Sequence, residues 1–340
     1  MENDEPNQEK LLKEFNNKYN SNLNLSQIEI NLFSSHLSDK GLYELVSINF
    51  PKKIEKLILE NNLITNISPL SLISFGEKLI SLDLSSNKIE SIDVLCKVNF
   101  PLLYHLYLNN NIISNIDSLC KFRFPQLIEL NLSSNKITSI DILSKSNFPN
   151  LKELLLSKNE INSINILSYV NIPKLKILTL DHNKIYSIDC LEKVKFKYIR
   201  ELKLEKNKLS NIQILSKLNF PKLNYLSIGD DSLKDNLNEL KSIKFPKLED
   251  IRVYLNEKYN KKSKNITEIT TYFENKGICF KFIKYDKNGE NEIMDDDNNF
   301  IHNYDDEDDE ENGDSEENIF VDEAKLSHNL NDFLIKEGLI

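Results

Sequence analysis

The stretch LIELNLSSNKITSIDILSKSNFP (Leu127–Pro149) is followed at once by NLKELLLSKNEINSINILSYVNIP (Asn150–Pro173), and the two align at an offset of 24 residues. The frame extends both ways. Asn62, Asn87, Asn111, Asn135, Asn159, Asn183 and Asn207 are separated by 25, 24, 24, 24, 24 and 24 residues, and Asp231 stands at the next equivalent place. Around each runs L-x-x-L-x-L-x-x-N-x-I-x-x-I-x-x-L, closed by a Phe that is mostly followed by Pro. That Phe recurs at positions 50, 75, 100, 124, 148, 196, 220 and 245, with Ile172 filling the gap.

The spacing dictates local structure. Leu130 and Leu132 alternate with polar residues, a period of two that predicts a short strand with one buried face. An Asn at the corner that follows has a side chain able to satisfy backbone groups left unpaired at the bend. Ile137, Ile140 and Leu143 return at three-residue spacing, which predicts a 3-10 or short helical return. Asp93, Asp117, Asp141 and Asp189 stand where an N-cap is expected. The Phe-Pro step ends the return, because the residue before proline disfavours the α region. One 24-residue coil buries too little to stand alone, so the coils must stack and share one core.

This motif resembles the leucine-rich repeat family. Its N-x-I-x-x-I-x-x-L return is similar to the short-repeat class that includes a protein-phosphatase-1 regulatory subunit and the internalins, although this chain's 24-residue unit closed by Phe-Pro departs from theirs. The resemblance spans roughly residues 50–255. It implies an α/β leucine-rich repeat solenoid, with a curved parallel sheet on the concave side and 3-10 or short helical returns on the convex side. It implies protein binding and is nearly silent on activity, since the family uses this scaffold for many partners.

The ends differ in composition. Residues 1–49 read as an N-terminal cap with a divergent first repeat: Leu11, Leu12, Phe15 and Tyr19 share one helical face, QIEIN (27–31) is a first strand, and Ser38 caps a helix that turns Leu42, Leu45 and Phe50 inward. Residues 50–255 are the repeats. Residues 256–285 continue from the strand LEDIRVYL (248–255) through a helix ending near Gly277 to a further parallel strand, ICFKFIKY (278–285). Residues 286–324 form an acidic tail predicted to be disordered. Between 286 and 323 lie 18 Asp or Glu and one Lys, a net of -17 within a chain of -10, so the remainder carries about +7. Residues 325–340 regain Leu330, Phe333, Leu334, Leu339 and Ile340 as a short amphipathic segment.

No constellation for catalysis is visible. His36, His105, His182, His302 and His328 are scattered, and phosphate-loop, dinucleotide and nucleophile-elbow motifs are missing. Cys96 and Cys120 hold the same repeat position, which reads as two small residues stacked in neighbouring coils. A calcium loop opening at Asp308 fails at its twelfth position, Ile319. Ser315 lies among acids but lacks the acid three residues on, and the N-x-[ST] sequons at Asn24, Asn66, Asn131 and Asn265 lack a secretory context. The expectation is a protein that is not an enzyme and takes no cofactor or metal.

The strand residues that point away from the core form columns. One reads Lys56, Ser81, His105, Glu129, Glu153, Ile177, Glu201, Tyr225, Asp250; the next reads Ile58, Asp83, Tyr107, Asn131, Leu155, Thr179, Lys203, Ser227, Arg252; a third adds Glu60, Asp181, Glu205 and Tyr254. Tyr107, Leu155, Ile177, Tyr225 and Tyr254 are expected to be exposed anchors on an otherwise polar face, and Glu129 beside Glu153 invites a basic partner. The candidate protein-binding set is therefore Ile58, His105, Tyr107, Glu129, Glu153, Leu155, Ile177, Asp181, Glu201, Tyr225, Arg252 and Tyr254.

The reading is a monomeric, non-enzymatic scaffold whose concave sheet binds a protein, with a phosphatase catalytic subunit as the sharpest version. The alternative is an acidic-tail chaperone or binder of basic proteins such as histones. The absence of a basic stripe on the concave columns disfavours nucleic acid. No run of apolar residues reaches membrane-span length, and an acidic N-terminus with four Cys predicts an intracellular protein, cytoplasmic or nuclear.

Overall fold

The computed structural model describes residues 8–229, 233, 237–256, 264–285 and 291–293. Asp231, the Asp308 loop, Ser315, the segment 325–340 and the acidic tail apart from 291–293 lie outside the described residues.

Among the described residues, twelve strands form one sheet in strict chain order. They are β1 (Glu29–Asn31), β2 (Lys56–Ile58), β3 (Ser81–Asp83), β4 (His105–Tyr107), β5 (Glu129–Asn131), β6 (Glu153–Leu155), β7 (Ile177–Thr179), β8 (Glu201–Lys203), β9 (Tyr225–Ile228), β10 (Asp250–Asn256), β11 (Cys279–Tyr285) and β12 (Asn291–Ile293). β1 to β11 pair in parallel and β12 runs antiparallel to β11. The register places Leu57, Leu82, Leu106, Leu130, Leu154, Leu178, Leu202 and Leu226 side by side, all buried. Parallel pairing requires the chain to cross back between strands. Here 3-10 turns make the return, as at Asp117–Lys121 and Asp141–Lys145.

The capping expectation needs correction. Each Asp is the first residue of its 3-10 turn, an Ile holds the N-cap position, and no side chain caps from there. The cap acts one residue earlier. Ser91, Ser139 and Ser187 Oγ accept the N–H of Asp93, Asp141 and Asp189, and Asn115 Oδ1 accepts that of Asp117. The reason is that Ile92, Ile116, Ile140 and Ile188 are spoken for by the core, which leaves capping to the exposed residue before them.

The Asn column is a hydrogen-bonded ladder. Asn135 Nδ2 donates to the carbonyls of Leu108, Leu132 and Ser133 at 2.9, 3.1 and 3.2 Å, and its Oδ1 accepts the N–H of Ile113 at 3.0 Å. Asn62, Asn87, Asn111, Asn159, Asn183 and Asn207 repeat this pattern, each tying its own corner to the coil before it. A buried amide with all its groups paired is the arrangement a dry corner demands. Behind the ladder the Phe column is buried, with ring centroids 6.0 Å apart for Phe50–Phe75 and 6.3 Å for Phe100–Phe124.

One feature of the corner carries no signal in composition. Asn61, Ser86, Asn110, Ser134, Lys158, His182 and Lys206, each just before a ladder Asn, have φ between 52 and 55°. Each donates its N–H to the next coil, as Ser134 does to Ser157 at 2.8 Å. Stacking thus imposes the left-handed region even on Lys and His, which rarely adopt it.

At the N-terminal end, α1 (Gln8–Tyr19) buries Leu12 and Phe15, and α2 (Asp39–Val46) buries Leu42 and Leu45. Lys18 and Tyr19 both bind the Glu44 carboxylate, at 2.7 and 2.8 Å, which clips the two helices together. Ser38 holds the N-cap of α2 without a side-chain bond. At the other end α3 (Lys264–Glu274) leads into Gly277 at φ 72°, where the N–H of Ile278 returns to Phe273 at 3.0 Å and that of Gly277 to Glu274 at 2.9 Å. This is the paired closure in which a glycine ends a helix without a Cβ penalty.

Candidate functional site on the concave sheet

Because strand residues alternate, the neighbours of each buried Leu face outward, and the register confirms the columns. His105, Glu129, Glu153, Ile177 and Glu201 lie on successive strands, as do Tyr107, Asn131, Leu155, Thr179 and Lys203. The face divides into two parts.

Across β4 to β6, and at Ile177 on β7, the outward side chains are half-buried, whereas Thr179 on β7 is buried. His105 Nδ1 and the Tyr107 hydroxyl converge on Glu129 Oε2 at 3.1 and 2.8 Å, and the two rings stack at 6.2 Å. Burial, reinforced by the Glu129 charge, pushes the pKa of the Tyr107 hydroxyl far above its ordinary value. Glu153 sits on the next rung. Burial, then the Glu129 charge beside it, pushes its carboxyl up to about 7. Leu155 and Ile177 flank it as half-buried apolar groups, and Ile58 lies four strands away beside Asp83.

Across β8 to β10 the face is closed, which corrects the expectation of exposed anchors there. Tyr225 is 4% exposed and Tyr254 7%. The Lys203 and Arg252 cations lie over the Tyr225 ring at 5.7 and 5.2 Å, and Arg252 binds Asp250 at 3.1 Å. Glu201 is buried and paired with Lys203. Asp181 is buried too. Burial alone would raise its pKa, but hydrogen bonds from His182 and Ser157 outweigh that and hold it low. Glu205, raised by burial and the nearby Asp181 charge, accepts the hydroxyl of Ser227. Long side chains spread over the aromatic rings, so outward-pointing residues here become an internal polar network.

Away from the sheet, the Cys96 and Cys120 thiols donate to the backbone carbonyls of Ser118 and Asp117, at 3.4 and 3.2 Å. Burial raises the Cys96 thiol above its ordinary value. Among the described residues no group of three or more His, Cys, Asp or Glu is placed to hold a metal, and no helix is long and apolar enough to cross a membrane.

A family model described as leucine rich repeat matches residues 125–185. Among solved structures the chain is similar to internalin C2 from Listeria monocytogenes str. 4b F2365, at 23% identity over 64% of this chain and 92% of that one, with a TM-score of 0.50. It is also similar to internalin InlF of the same strain (20% identity, 82% and 88% covered, TM-score 0.41). A third is a plant peptide hormone receptor, RGFR1, in complex with RGF2 (19% identity, 67% and 36% covered, TM-score 0.44). No curated protein matches the chain. The ladder and the register carry the matched repeat along the sheet, so the chain folds as a leucine-rich repeat solenoid. That fold generally serves protein–protein interaction.

Proposed function

We propose that this protein is a non-enzymatic interaction scaffold that binds a protein partner on strands β4 to β7 of its concave sheet. The observation that carries the reading is the open half of the face: Tyr107, Leu155 and Ile177 are half-buried around the adjacent carboxylates Glu129 and Glu153. Aromatic and aliphatic anchors beside two carboxyl groups on adjacent strands fit a surface that receives a basic side chain with an apolar stem. A phosphatase catalytic subunit is one partner of this kind, supported by family resemblance alone. The reading includes a monomer, and a place in the cytoplasm or nucleus that the low count of four Cys supports.

The second reading, a chaperone or binder of basic proteins such as histones, is favoured by one observation, the net charge of -17 over residues 286–323. Affinity capture separates the two. The baits are the full chain, Tyr107→Asp/Leu155→Asp, and a chain ending at residue 285. Partners lost by the double variant and kept by the shortened chain support concave binding. Basic partners lost only on shortening support the tail, and partners that all three baits retain overturn both.

A further inference from the structure

The residues that lead into the strands form a row of their own, one position before the first concave column. Lys176 N–H donates to the Lys152 carbonyl at 2.7 Å and Arg200 N–H to the Lys176 carbonyl at 2.7 Å, so these three cations occupy successive rungs of one backbone ladder. The next rung is Asn224, whose N–H reaches Arg200 at 2.9 Å. Just outside the ladder, the Lys197 and Lys222 cations both lie over the Tyr198 ring, at 5.3 and 5.0 Å from its centroid. In the lead-in segments 150–152, 174–176, 197–200, 222–224 and 247–249 there are seven Lys or Arg and one acid, Glu249. The equivalent segments 101–104 and 125–128 carry no charge, so the ridge is local to β6 to β10.

We propose that this ridge docks an acidic stretch of a partner polypeptide. Parallel rungs at ~4.8 Å place cations far closer than random surface lysines, and five rungs span roughly 19 Å. A run of about seven consecutive acids, extended at ~3.3–3.6 Å per residue, covers that length. Its carboxylates meet the ridge by charge-assisted hydrogen bonds. The ridge is flanked on the sheet by Glu153 and Glu201, which favour a narrow extended chain over the broad phosphate surface of a duplex.

The probe is a fluorescein-labelled peptide DDEDDEENGDSEE, the sequence of residues 305–317, which holds seven consecutive acids. Its anisotropy is read with three full-length acceptors: wild type, a variant with residues 305–311 changed to Asn or Gln so that no acidic run competes with the probe, and that variant with Lys152→Gln/Lys176→Gln/Arg200→Gln. Expected is binding to the second acceptor that weakens at least tenfold between low and moderate salt, and at least tenfold again in the ridge variant, with melting temperature unchanged. Equal binding to the ridge variant, no binding to either of the first two acceptors, or tighter binding of a 13-nucleotide single strand overturns the proposal.

Discussion

The interior and the concave face of each coil are built from alternate residues of the same three-residue strands, yet one repeats and the other does not. Along the interior, Leu106, Leu130, Leu154 and Leu178 occupy one environment and Asn111, Asn135, Asn159 and Asn183 make the same bonds. Along the concave face the matching rungs read Tyr107, Asn131, Leu155 and Thr179. A stacked coil leaves one solution for a dry corner, whereas an outward side chain meets solvent or a partner and is released from the repeat. The lesson is that regularity encodes the scaffold and departures from it encode what the scaffold contacts.

Two asparagines of one coil put this contrast to the hardest test. Asn135→Ala removes four hydrogen bonds and strands the buried N–H of Ile113, while the carbonyls of Leu108, Leu132 and Ser133 keep donors in Asn111, Asn159 and Asn110. It is expected to cost about 2–4 kcal/mol, roughly 1–3 kcal/mol for the orphaned N–H with the lost carbonyl bonds adding to it. Asn131→Ala, four residues earlier on the concave face, loses a bond to the Ser133 N–H and is expected to cost less than about 1 kcal/mol. Chemical denaturation of the pair measures both, and equal costs would break the division between the faces.

A smaller effect sharpens the concave side. Glu153 has a folded pKa of about 7 against 4.5 for the free group. Between those values the unfolded chain releases its proton before the folded one does. Stability therefore falls as pH rises from about 4.5 to 7, and the penalty is complete above that. Glu153→Gln is expected to flatten this slope and to stabilise the protein by about 1–3 kcal/mol at pH 8, the scale of a shift of this size. Melting at pH 4.5 and pH 8 checks it, and an unchanged slope would remove Glu153 as its source. That carboxylate strained against its neighbour is also what a basic partner would relieve.

The smallest effect lies where the repeat overrules the residue. Lys158 holds φ 54°. Lys158→Gly removes the left-handed penalty but frees the unfolded chain, so a net gain of about 0.5 kcal/mol is expected from thermal melts. The same change at Lys145, inside a 3-10 turn, is expected to destabilise.

Period, parallel order, the asparagine corner and the inward Phe were legible from spacing, because they depend on contacts that every coil makes identically with the next. Even the columns of the concave face followed, since alternation along a strand needs no knowledge of neighbours. What spacing leaves open is how long side chains lie down once the coils are stacked. Tyr225 reads as an exposed anchor until Lys203 and Arg252, one strand to either side, are seen over its ring. Ile140 holds a cap position that the core has already claimed, so Ser139 caps in its place. The basic ridge was present in the sequence at the residues just before each strand, but its cations are 24 residues apart and read as scattered until the ladder sets Lys152, Lys176 and Arg200 on adjacent rungs. Local periodicity specifies the coil, because backbone and core geometry are the same in every copy. Burial and pairing on the outer surfaces are properties of several coils at once, and only their stacking decides them.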